Sequence, residues 1–185
     1  GMIHITVIQN KDGKMAAPKI ATGNNFTVSL KSDGTMWAWG QNNVGQLGSG
    51  DTDAHSSPTQ VVRLEGSDYV PLTNIVDIAA GANFALAVDA DGVVWTWGHN
   101  NVGQLGIDPT TTQRLYANKI LLKAAAADTV IPGEDGEEDT IVPGTPAKYM
   151  DDVLAVAAGP EYALALAKDG TVWAWGINTS RQLGN

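Results

Sequence analysis

Cysteine is absent from all 185 residues, which removes disulfide staples, thiol nucleophiles and thiolate ligands while leaving the compartment open. No apolar run approaches the roughly 20 residues that a membrane-spanning helix needs, and the amino terminus lacks the basic-then-apolar order of a signal peptide. Neither membrane insertion nor a leader is therefore expected. Base is scarce: 11 Lys and Arg face 20 Asp and Glu, for a net charge of −9. A phosphate backbone needs a broad cationic surface, so nucleic acid is not an expected partner. His4, His55 and His99 share no ligand spacing, and no metal or other cofactor is predicted.

What the chain does have is internal repetition. The string Trp95-Thr96-Trp97-Gly98 through Gly103-Gln104-Leu105-Gly106 returns nearly unchanged at Trp37 to Gly48 and at Trp173 to Gly184. Ahead of each copy stand Ile20 to Gly23, Ile78 to Gly81 and Val156 to Gly159, giving repeat cores at 20–48, 78–106 and 156–184. Self-similarity at this spacing implies stacked units rather than one irregular core. After each glycine, large and small residues alternate: Phe26, Val28, Leu30; Phe84, Leu86, Val88; Tyr162, Leu164, Leu166, with Thr, Ser or Ala between them. Period two predicts a strand, and two uncharged faces predict one covered on both sides. Asp33-Gly34, Asp91-Gly92 and Asp169-Gly170 then predict tight two-residue hairpin turns. The returning strands carry all six tryptophans of the chain in Trp-x-Trp pairs. Residues recurring in every copy are read as packing rather than as a ligand site.

Ile-Ala-Ala-Gly, the Asp-Gly turn, Trp-x-Trp-Gly and Gly-Gln-Leu-Gly, in that order, resemble the regulator of chromosome condensation repeat family. The resemblance implies a β-propeller. The expected fold is all-β, with three four-stranded antiparallel blades per chain forming part of a larger ring, in one array over 1–185. Departures from the family are Phe26, Phe84 and Tyr162 where a polar residue, often His, is usual, Arg181 at the place of Gly45 and Gly103, and the count of three repeats.

Residues 3–8 read as a strand whose counterparts, Pro58 to Leu64 and Tyr116 to Leu122, each follow a Gly-Gln-Leu-Gly loop. No such strand follows the third loop. Propellers have about 4 to 8 blades, so strand 3–8 of one copy completing the third blade of another would give a homodimer with a six-bladed ring. The alternative is a three-repeat piece of a longer propeller. The segment 124–147 reads as an inserted hairpin, Thr129 to Pro132 mirrored by Thr140 to Pro143, with no equivalent in the other repeats. It holds six acids between Asp128 and Asp139 and no base; −9 less those six leaves −3 for the rest.

Asp89-Ala90-Asp91-Gly92 lacks the downstream acids of a calcium loop and reads as turn chemistry. No nucleophile–base pair or rigid carboxylate pair is evident, so no enzyme is expected. The predicted function is a non-enzymatic protein-interaction scaffold, of bacterial and extracellular or cell-surface type. Its candidate contact residues are Glu134, Asp135, Glu137, Glu138 and Asp139, and its partner is an unidentified protein. The second class considered is a carbohydrate- or cell-wall-associated module.

Overall fold

The computed structural model describes residues 16–123, 129–131, 140–142 and 148–184, in which every helix or strand element is a strand. The first sheet runs in chain order through β1 (Lys19–Thr22), β2 (Phe26–Leu30), β3 (Met36–Gly40) and β4 (His55–Gln60). A hairpin of β5 (Val62–Glu65) and β6 (Asp68–Pro71) leads to β7 (Ile75–Ala80), β8 (Phe84–Asp89), β9 (Val94–His99) and β10 (Gln113–Lys119). β5 lies parallel to β10 at Arg63 and Ala117, so these strands form one six-stranded sheet, ordered β6-β5-β10-β9-β8-β7. Next come β11 (Leu121–Lys123), β12 (Thr129–Ile131), β13 (Thr140–Val142) and β14 (Lys148–Tyr149), which pair β11 with β14 and β12 with β13. The third sheet is β15 (Val153–Ala158), β16 (Tyr162–Ala167) and β17 (Val172–Gly176).

The all-β expectation holds, but three uniform four-stranded blades do not. The sheets have four, six and three strands, and no ring closes among the described residues. The excess and the deficit have separate causes. Each strand predicted after a loop breaks at one buried residue: Val61 N–H bonds the Met36 carbonyl while Val62 N–H bonds that of Gly48, and Ile120 N–H bonds the Val94 carbonyl. Chain beyond each break turns into a new hairpin. The third sheet has no strand outside β17 among the described residues, and residues 3–8, expected to supply one, lie outside them.

The alternation does what period two predicts. β8 is buried at every position and feeds two cores at once. Ala85 and Ala87 face the first sheet, packing with Val28, Leu30, Met36, Ile75 and Ile78; Phe84, Leu86 and Val88 face the third, packing with Val156, Ala163 and Ala165. The large set of one sheet thus meets the small set of the next, which lets the sheets approach closely.

The turns differ from the expectation in one respect. Lys31 N–H bonds the Thr35 carbonyl and Gly34 N–H bonds that of Lys31, so the loop has three residues with only Gly34 left-handed, at φ 78°. This is a type I turn closed by a glycine bulge, which needs positive φ once rather than twice. The same pattern recurs around Gly92 and Gly170.

Candidate functional site

The candidate contact residues Glu134, Asp135, Glu137, Glu138 and Asp139 lie outside the described residues. The strands flanking them pair as the mirrored sequence predicts, Thr129 with Val142 and Ile131 with Thr140. One expectation needs correcting: the insertion does have a counterpart. Met150 N–H bonds the Ile120 carbonyl as Leu72 N–H bonds that of Val61, and Leu121 registers with Tyr149 as Val62 does with Pro71. The hairpin β5–β6 and the longer segment 121–149 therefore leave and rejoin the stack at equivalent places.

Most repeated polar side chains serve the frame. Asn42 Oδ1 accepts the Leu47 N–H at 2.9 Å, Asn100 does the same for Leu105 at 2.9 Å, and Asn178 for Leu183 at 3.0 Å. Gln46, Gln104 and Gln182 each accept an N–H two residues back, from Val44, Val102 and Ser180. With side chains locked inside the loop, the backbone carbonyls of Gln46 and Gln104 point to the next sheet. Trp97 Nε1 donates to the Gln46 carbonyl at 3.1 Å and Trp175 Nε1 to that of Gln104 at 3.0 Å. A Cβ on Gly48 would stand 2.8 Å from the Trp97 ring, and one on Gly106 3.3 Å from Trp175 Nε1. Sequence reading assigned the tryptophans to packing but missed this bond, whose only signal was the co-occurrence of Trp-Gly with Gly-Gln-Leu-Gly.

Both ends of this series are open. Trp39 Nε1 has no acceptor among the described residues, and a Cβ on Gly184 would meet nothing within 4 Å. Tyr162, Leu164 and Leu166, the large set of β16, face away from the second sheet; Val172 and Trp173 are 61% and 44% exposed. At the opposite end the outward set of β2 is small, Thr27 and Ser29. An inner rung also runs between sheets: Asn24 N–H bonds the Ala82 carbonyl and Ala82 N–H bonds that of Pro160. Pro160, having no N–H, ends it.

The shifted titrations belong to turns. The Asp33 carboxyl is held below its ordinary value first by the Thr35 hydroxyl, 2.6 Å away, and then by the Thr35 N–H. The Thr171 N–H does the same for Asp169, and the Asp152 carboxylate raises Lys168. Among the described residues no three His, Cys, Asp or Glu side chains gather as metal ligands would.

Two models of the regulator of chromosome condensation (RCC1) repeat match the chain, one over 33–88 and 91–166, the other over 19–46, 75–104 and 153–182. The E3 ubiquitin-protein ligase HERC2 of Homo sapiens is 29% identical over 185 residues, covering 97% of this chain and 3% of the ligase. Human WBSCR16 superposes with a TM-score of 0.50 at 20% identity, over 96% of this chain and 51% of its own, a likeness of fold. Yeast RCC1 (Prp20), solved bound to Kap60, gives 0.44 at 21% identity over 86% and 43%. The chain thus spans a small part of HERC2 and about half of WBSCR16, and HERC2, a human relative, lends no support to a bacterial source.

Proposed function

The chain belongs to the regulator of chromosome condensation repeat family, and on that premise we propose that it is a non-catalytic protein-interaction module that meets its partner through segments inserted between repeats. One observation carries the reading. The repeated Asn, Gln and Trp side chains spend their hydrogen bonds inside the frame, so what distinguishes this surface lies in the hairpins after Gln60 and Lys119. The second of these includes Glu134, Asp135, Glu137, Glu138 and Asp139, whose charge suits a basic protein surface. Reversing those five charges is expected to remove a captured partner at low salt; a partner retained at full yield would refute the assignment. A net charge of −9 argues against nucleic acid.

A second copy is the other partner supported. The large outward face of the third sheet and the small outward face of the first are complementary in the sense already used twice inside the chain. Trp39 would donate to the Gln182 carbonyl as Trp97 and Trp175 do to theirs. Closing both junctions gives a six-bladed ring of two chains, with a rung missing at the Pro160 of each chain. Light scattering over a range of concentration tests this: a mass that stays monomeric throughout would refute it.

A further inference from the structure

Arg63 of the first inter-repeat hairpin and Tyr149, at the end of the second insertion, border a groove of about 340 Å³ on the second sheet; Trp95, Tyr116 and Lys119 also line it, and among the described residues its lining has no Asp or Glu. Two cations, Arg63 and Lys119, stand in this lining, and among the described residues only Arg63 has a carboxylate partner, Glu65. Its floor is fixed. Trp95 Nε1 donates to Asp89 Oδ2 at 2.9 Å, and the Tyr116 ring leans on Tyr69 at 5.5 Å between centroids. Lys119, cross-strand from Trp95, holds its ammonium 5.1 Å from the Trp95 ring centroid and 5.4 Å from that of Tyr149. Two ring faces orient that cation without neutralising it, and no carboxylate pairs with it among the described residues. On the other wall Arg63 gives one guanidinium nitrogen to Glu65 at 2.8 Å; a guanidinium has five N–H donors, so others are left over. The Tyr149 ring, 39% exposed, is open to a further flat or apolar group.

We propose that this groove binds an acidic, aromatic-bearing peptide segment of a partner protein, with a carboxylate between Lys119 and Arg63 and an apolar side chain on Tyr149. A volume of this order holds a few side chains rather than a folded surface. Neutral sugar is a poorer occupant, because Lys119 already covers the Trp95 face on which a ring would stack. The proposal rests on the protein-interaction reading and names the chemistry of the partner. It uses no residue of the acidic segment 134–139, so either can fail alone.

The test is fluorescence anisotropy of the whole chain with a short fluorescein-labelled peptide of alternating Glu and Tyr, beside its Gln–Tyr counterpart and beside polygalacturonate as an acidic glycan. Binding of the Glu–Tyr peptide that weakens with salt is expected. Lys119→Ala should lower its affinity at least about tenfold, as for a central contact, Lys119→Arg should retain most of it, and Lys31→Ala, a lysine over Trp37 outside the groove, should change nothing. Equal binding by Lys119→Ala, equal binding of the Gln–Tyr peptide, or capture of the glycan but not the peptide would each overturn the proposal. A partner still captured by Lys119→Ala would leave the interaction reading intact and remove only this site.

Discussion

Replacing the second tryptophan of each pair by phenylalanine should give three different costs from one substitution. Trp97 is fully buried between sheets and donates to the carbonyl of Gln46. Trp97→Phe loses a hydrogen bond with a net value of about 1 kcal/mol and leaves that carbonyl without its partner. The side chain also becomes roughly 40 Å³ smaller, which at about 24 cal/mol per Å³ of unfilled cavity adds about 1 kcal/mol. The total is about 2 kcal/mol, or a fall in Tm of about 4–8 °C for a chain of this size. Trp175 makes the same bond to Gln104 but is only half-buried, so its replacement should cost less, about 1.5 kcal/mol, since the bond is lost but about half the packing. Trp39 has no acceptor among the described residues, and with no bond to lose Trp39→Phe should cost only the packing part, about 0.5 kcal/mol. The assay is thermal unfolding by circular dichroism at a concentration low enough to keep the chain monomeric. A Trp39→Phe loss as large as that of Trp97→Phe would refute the reasoning, since it would mean the cost arises within each strand. Repeating the melts at high concentration adds the second-copy test. If Trp39 finds the Gln182 carbonyl of another chain, its replacement should become costly only there, by mass action.

Arg181 holds φ 60° where the other loops have Gly45 and Gly103. Arg181→Gly should raise stability by about 1 kcal/mol, the size of the left-handed penalty it relieves, measured as a shift in the urea midpoint; a loss would refute the strain. Gly48→Ala should cost well over 1 kcal/mol, because the backbone stands at φ 66° and the new Cβ would press on the Trp97 ring, whereas Gly184→Ala, with open space around it, should lose only the backbone part; equal losses in the two melts would refute the packing argument. Acid should destabilise the first hairpin. The Asp33 pKa is lowered, so its contribution is full above the ordinary carboxylate value of 3.8 and is lost as pH falls through the lower folded value. Thr35→Val, by removing the hydroxyl, should move the onset of acid melting of this turn to higher pH, read from amide exchange of residues 31–35; an unchanged profile would refute the role of that bond.

Sequence alone determined what depends on near neighbours in the chain. Alternation along β8 told that both faces would be covered, and the Asp-Gly pairs placed the hairpin turns, because period two and positive φ are local properties. The mirrored strands 129–131 and 140–142 were legible for the same reason. Other features needed the assembled stack. Trp-x-Trp-Gly is the same motif in all three repeats, yet its second tryptophan is buried only in the middle one, since burial requires a loop and a sheet on either side. Nothing in the string Pro58 to Leu64 marks Val61 as the point where one strand becomes two; that is decided by the Met36 and Gly48 carbonyls competing for successive N–H groups. The equivalence of the hairpins after Gln60 and Lys119, and the groove they border over Trp95, are likewise tertiary. Local patterns report how a residue prefers to sit, while which partner completes its hydrogen bonds and covers its surface is set by chain far away in sequence.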